Sequence, residues 1–203
     1  MNNFLAYTNK VLSNEDIKFL NDDYDKHEPQ VIKRFGNLFH LEQRFPPEVH
    51  EHITSKLHPT VPVAHYYLNY TEGSFCRMHH DNDVSLTTIT LIDQDHNLEG
   101  GETIVNDPFE KKHYEEYHTF SWQDPKDYAF DGSFICPRVV DLKVGETLFL
   151  HQMHGVAKVR TGFRKVFITW HANQTYLHNT SAFLGGAPHD TRKGNWPKEE
   201  NKQ

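Results

Sequence analysis

The sequence predicts a mainly β fold with N-terminal helices, its short antiparallel strands forming a β-sandwich or jelly roll. Two observations predict it. Before residue 61 the clearest signals are helix caps followed by apolar residues at helical spacing. After it, short β-branched and aromatic runs follow one another at hairpin distance, with turn residues between them. The 203 residues suffice for one domain with a substantial core and are few for two.

Ser13-Asn14-Glu15-Asp16 sets a capping serine three residues ahead of an acid, and Ile17 and Leu20 follow on one face, so a helix starts there. Pro46-Pro47-Glu48 opens a second helix carrying Val49, Ile53 and Leu57, and Pro59 and Pro62 close it. Residues 22–43 follow neither period. Residues 1–60 are therefore expected as a helical support packed on the strands. Strands are expected at 63–70, 85–92 and 103–105, and again at 139–142, 147–151 and 163–171, where Gly145, Gly155 and Gly162 mark the turns. The expected core is 61–175. The polar, aromatic segment 106–137 interrupts it without a period, either as a lid over a binding channel or as a surface excursion. Residues 176–203, rich in Gly, Pro, Asn and Lys, read as a tail.

Composition narrows the function classes. The formal charge is −7 and no basic stripe stands out, which disfavours nucleic acid as a partner. Apolar runs are broken by glycine or polar residues, so no membrane span is expected. Met1-Asn2-Asn3-Phe4 lacks the basic start and apolar stretch of a signal peptide, and two cysteines, Cys76 and Cys136, make no disulfide scaffold. Cytoplasmic residence is the expectation.

Sixteen histidines make accidental metal-like spacings common, so a metal reading needs several independent parts. The first is His79-x-Asp81: on an extended segment residues two apart share a side, and imidazole and carboxylate can converge on one ion. The second is His154, seventy-three residues after Asp81, at the end of a strand-like run. Two histidines and one carboxylate form the facial triad that leaves positions open on Fe(II), whereas a structural zinc site closes four positions. The third is Arg164, ten residues after His154, which shares a strand face with Val166, Ile168 and Trp170. A lone cation on an apolar face needs an anionic partner, and a carboxylate of 2-oxoglutarate suits the guanidinium fork. Other registers fail: His80 has Asn82 two residues on, and His151 has Thr161 ten residues on. His80 and His151 are expected as structural or supporting residues, and Asp83 as a loop or supporting residue.

Tyr70-x-x-Gly73, His79-x-Asp81, Gly100-Gly101-Glu102-Thr103, Gly145-x-x-Leu148-x-Leu150 and His154-x4-Val159-x2-Gly162-x-Arg164 occur in this order. Together they resemble the catalytic domain of prolyl and lysyl hydroxylases, within the Fe(II)/2-oxoglutarate dioxygenases, over residues 61–172. The resemblance implies a double-stranded β-helix with Fe(II) at one mouth, held by His79, Asp81 and His154. It implies 2-oxoglutarate anchored by Arg164, consumption of O2, release of succinate and CO2, and ascorbate as a reductant. Tyr70 stands where the family often sets a hydroxyl near the co-substrate, with a core tyrosine as the alternative. Cys76 stands where prolyl hydroxylases commonly carry tyrosine; Thr88 or Thr90 is the candidate to turn a hydroxyl inward instead, with ordinary strand packing as the alternative.

The implied reaction is hydroxylation of a C–H bond in a peptidyl proline or lysine. The alternatives are a free amino acid, small metabolite or nucleobase as substrate, and a non-catalytic metal-binding jelly roll. Nucleic-acid demethylases of the superfamily typically add an arginine six residues after the first, where this chain has Trp170.

Overall fold

Ser13 caps the first helix as its spacing predicts. Its hydroxyl accepts the Asp16 N–H (3.1 Å) and the Asp16 carboxylate accepts the Ser13 N–H (2.9 Å), a closed capping box at the head of α1 (Asn14–Tyr24). The second helix, α2 (Glu51–Leu57), starts later than Pro46 because residues 47–50 turn first and His50 enters it with φ 64°. The computed structural model describes residues 6–27, 29–34, 38–60, 62–79, 81, 84–106, 137–151 and 154–171. The expectations for His80, for Asp83, for the interior of the 106–137 segment and for the 176–203 tail lie outside the described residues.

Eleven strands are described: β1 (Ala6–Asn9), β2 (Gln30–Arg34), β3 (Leu38–Phe45), β4 (Ala64–Thr71), β5 (Cys76–His79), β6 (Leu86–Gln94), β7 (Thr103–Asn106), β8 (Pro137–Val140), β9 (Thr147–Leu150), β10 (His154–Val156) and β11 (Phe163–His171). They form a seven-stranded sheet, β1-β9-β6-β11-β4-β3-β2, and a four-stranded sheet, β5-β10-β7-β8. All the pairings are antiparallel. This is the jelly roll expected from the strand spacing.

The expectation of a helical first sixty residues needs correction, since β1, β2 and β3 lie within them. β1 extends the large sheet along β9, while β3 pairs with β4 and carries β2 beyond it. Residues 22–43 have no helical period, and the open edge of β4 satisfies the backbone groups of β3 in a way no local signal could announce.

The period-2 alternation of the large sheet divides its residues between two cores. Tyr66, Leu68 and Tyr70 of β4, Ile89 and Leu91 of β6, and Val166 and Ile168 of β11 face the small sheet, where Val105, Val140 and Val156 meet them. Tyr67, Ile92 and Phe167 face the other way, onto Leu12, Ile17, Leu20, Tyr24, Ile53 and Leu57 of the helical layer. Burying each such side chain contributes about 1.5–3 kcal/mol. Within the helical layer a polar chain runs from Asp23 to His50 Nε2 (2.8 Å) and from His50 Nδ1 to His65 Nε2 (3.2 Å), with the Tyr67 hydroxyl donating to Asp23 (3.1 Å). The inter-sheet face is the one that concerns function.

Candidate metal centre

The small sheet brings the two predicted histidines together directly. β10 pairs with β5 so that His154 stands opposite His79, and on its other side β10 pairs with β7, where His154 meets Val105. Asp81 follows His79 by two residues. The ligand atoms of His79, Asp81 and His154 all lie within 4.8 Å of one another. His79 Nε2 is 3.4 Å from Asp81 Oδ1, and His154 Nε2 is 3.5 Å from Asp81 Oδ2. The Asp81 and His154 side chains are buried, while 41% of the His79 side chain is exposed, so the cluster opens at one rim.

Electrostatics in this cluster favour a cation. Burial alone would push the Asp81 carboxyl up, but the imidazoles of His154 and His79 and the Thr87 hydroxyl outweigh it and hold it below the ordinary carboxylate range. For His79 burial alone would lower the imidazole, and Cys76 and Asp81 outweigh it, raising it well above its usual value. The Thr87 hydroxyl donates to Asp81 Oδ2 at 2.6 Å and orients the carboxylate. Two imidazoles and one carboxylate on a shared rim match a facial metal site with open positions, and among the described residues no thiolate completes a closed tetrahedron.

Arg164 projects from β11 between the sheets, on the face shared with Val166, Ile168 and Trp170, as its spacing predicts. It is 3% exposed and donates to the Gly101 carbonyl and to Thr103 Oγ1 of β7. Among the described residues its guanidinium has no ion-pair partner. Burial pulls its pKa down to about 10, with Tyr70 and Glu102 opposing that shift. Thr103 precedes Val105, the residue opposite His154, by two positions on one strand face, a step of roughly 7 Å. The cation and the triad are thus set a short molecule's length apart along the barrel.

Tyr70 stands opposite Arg164 in the β4–β11 register, 2% exposed, and burial raises its hydroxyl well above the usual range. The structure therefore brings Tyr70 beside Arg164, though Tyr70 is also part of the inter-sheet core.

The expectation for Thr88 and Thr90 is corrected. Ile89 and Leu91 face the barrel interior, so Thr88 and Thr90 face the helical layer, where they hydrogen-bond to Thr169 (2.6 Å) and Thr147 (2.8 Å). The strand threonine that reaches the site is Thr87, two residues before Ile89. Counting back by two from Ile89 in the sequence would have found it. No sequence signal pointed to Thr103 or the Gly101 carbonyl as partners of Arg164. His151 is exposed.

No family model matches the chain, and no curated protein matches it either. Solved structures do match in fold. A 2OG-Fe(II) oxygenase-family oxidoreductase from Burkholderia pseudomallei superposes with a TM-score of 0.55 at 12% identity, covering 85% of this chain and 89% of that one. A Pseudomonas putida prolyl-4-hydroxylase gives a TM-score of 0.55 at 12% identity, covering 83% and 92%. HygX from Streptomyces hygroscopicus, with nickel, 2-oxoglutarate and hygromycin B bound, gives 0.54 at 12% identity, covering 83% of each chain. The chain has the jelly-roll fold of the 2-oxoglutarate/Fe(II) oxygenases. Among the described residues no helix is long and apolar enough to cross a membrane.

Proposed function

We propose that this protein is an Fe(II)- and 2-oxoglutarate-dependent dioxygenase that hydroxylates a C–H bond, with a peptidyl proline or lysine as the substrate class. The observation that carries the reading is the pairing of two features: a His79–Asp81–His154 cluster within 4.8 Å, and a buried Arg164 with no ion-pair partner among the described residues. Either alone is common. Together they suit a ferrous ion and a dicarboxylate in one cavity.

His79, Asp81 and His154 would hold the ion, and Thr87 keeps the Asp81 carboxylate oriented toward it. Arg164 would take the far carboxylate of 2-oxoglutarate, which supplies the anion that a buried guanidinium lacks. Tyr70 stands beside that position. When bound, iron and 2-oxoglutarate supply the oxidising chemistry: O2 is consumed, succinate and CO2 leave, and one oxygen atom enters the substrate. The contribution of the chain is placement and exclusion of water, through the apolar faces of β4, β6 and β11 around the site.

The likeness to the Pseudomonas putida prolyl-4-hydroxylase supports the peptidyl substrate. The likeness to HygX, which holds hygromycin B, supports a second reading in which the substrate is a small molecule. Ascorbate is proposed as the reductant, as the family resemblance implies, and the cytoplasm as the compartment. The 106–137 segment is proposed as the substrate-selecting lid, so that its deletion abolishes substrate-coupled turnover and spares iron binding.

The test is substrate-free conversion of 2-oxoglutarate to succinate with added Fe(II). Wild-type protein should produce succinate, His154→Ala should produce none, and wild-type protein without succinate would favour the non-catalytic metal-binding jelly roll. Mass spectrometry of proline- and lysine-containing peptides and of free amino acids for the gain of one oxygen then separates the two substrate classes.

A further inference from the structure

The inner face of β5 carries a second chemically capable side chain beside His79. A regular strand sends residues three apart to opposite faces. In the β5–β10 pairing a bulge intervenes, so that His154 faces His79 while Val156 faces Cys76. Cys76 and His79 are thereby turned to the same side.

Cys76 Sγ lies 3.6 Å from His79 Nδ1, within the longer range of sulfur hydrogen bonds. The other ring nitrogen, Nε2, is the one turned to Asp81. A metal-bound imidazole is neutral, so ligation through Nε2 leaves the ring proton on Nδ1, directed at the sulfur. The Tyr70 hydroxyl is hydrogen-bonded to the same side chain, and Cys76 packs against the inter-sheet core. The sulfur is held from two sides, in place to receive that proton's hydrogen bond.

We propose that Cys76 is a positioning residue of the metal centre, whose sulfur accepts the Nδ1–H of His79 and fixes the tautomer and rotation that aim Nε2 at the ion. This rests on the metal-centre reading above. It assigns Cys76 no contact with iron or substrate. The bulge is what makes the role available, since without it Cys76 would face away from the imidazole.

The experiment titrates Co(II) into the full chain and follows its visible ligand-field absorption, which needs no turnover. Cys76→Val keeps the bulk and removes the acceptor, and Cys76→Ser keeps an acceptor. Sulfur is a weak acceptor, so Cys76→Val should loosen Co(II) binding about tenfold, the low end for a residue that orients a ligand, and Cys76→Ser should stay within about threefold of wild type. In nitrogen-correlated spectra of the Zn(II)-loaded protein, the His79 Nδ1–H resonance should shift in Cys76→Ser.

Equal Co(II) affinity for Cys76→Val and wild type would overturn the proposal. So would a serine variant as weak as valine, which would make the effect one of packing. A sulfur-to-cobalt charge-transfer band would make Cys76 a direct ligand and overturn it as well. Should the valine variant not fold, an unmoved His79 resonance in the serine variant does the same. Failure of the metal-centre reading looks different: wild type would bind no Co(II), or His154→Ala would bind it unchanged, and the role of Cys76 would fall with it.

Discussion

Replacing Arg164 by methionine removes a charge and keeps an apolar stem of similar reach, and the expected outcome follows from two opposing effects. Burial pulls the arginine's pKa well below its ordinary value, to about 10. The unfolded chain therefore holds this proton more tightly than the folded one, and below pH 10 the folded state carries a penalty of roughly 3 kcal/mol. With 3% exposure there is no solvent screening to discount. Methionine lifts that penalty. Against it, the buried Gly101 carbonyl and the Thr103 hydroxyl lose their donor, at about 1–3 kcal/mol. The ligand-free variant should therefore melt within a few degrees of wild type.

The two proteins should separate once 2-oxoglutarate is present. At a hundred times Kd a ligand stabilises by about 2.7 kcal/mol, which at this chain length raises Tm by about 5–10 °C. Loss of a charge-assisted carboxylate contact of roughly 3 kcal/mol weakens binding by about two orders of magnitude, leaving the variant a shift of about 1 °C at the same concentration. The assay is anaerobic thermal denaturation with Mn(II), with and without 2-oxoglutarate. An equal shift in both proteins would show that Arg164 does not anchor the co-substrate. A ligand-free Tm lower by more than ~10 °C would show that the arginine is a structural strut.

Further outcomes are expected. Thr87→Val removes the 2.6 Å hydrogen bond to Asp81 and should weaken Co(II) affinity by about tenfold or more in a direct titration; unchanged affinity would deny Thr87 an orienting role. His65 and His171 are fully buried, and burial pushes their imidazoles down to about 3 and about 4, with His50 and His58 adding to the shifts. Both stay neutral in the folded chain while the unfolded chain takes up protons below about pH 6.5. The stability they support is thus whole above pH 6.5 and is lost as pH falls toward 4 and then 3, by up to about 1.4 kcal/mol per pH unit for each. Urea unfolding between pH 7 and 4.5 should show this slope, and His65→Phe should reduce it by about half. Gly100→Ala should lower stability by about 3 kcal/mol or more in thermal melts, because its Cβ would stand 2.0 Å from the Lys158 carbonyl oxygen at φ +78°. Gly145→Ala, at φ +89° with no heavy atom nearer than 3.6 Å, should lose only about 1–2 kcal/mol.

Much of the architecture could be read from local pattern. The strands at 64–71, 86–94 and 163–171 are runs of β-branched and aromatic residues buried along most of their length, and the Ser13 box is a short-range hydrogen-bond motif, so both were visible residue by residue. β5 and β10, of four and three residues, were not, since among the described residues their pairing partners are each other and β7. β3 was hidden for the same reason, since it draws backbone partners from β4 on the far side of α2, and β2 was hidden with it because it pairs with β3.

The candidate site divides along the same line. Sequence by itself determined which side chains could serve: His79 and Asp81 two apart on extended chain, His154 and Arg164 ten apart across a turn, and Arg164 on the face of Val166 and Ile168. Period and chemical type are local properties, and they survive without coordinates. Tertiary structure decided what those side chains meet. The pairing of β10 with β5 set one imidazole against the other, and the β6 register turned Thr87 inward and Thr90 away. A bulge of one residue brought Cys76 round to His79. Each of these depends on how strands far apart in the chain slide past one another, where a shift of one residue exchanges the two faces of a sheet.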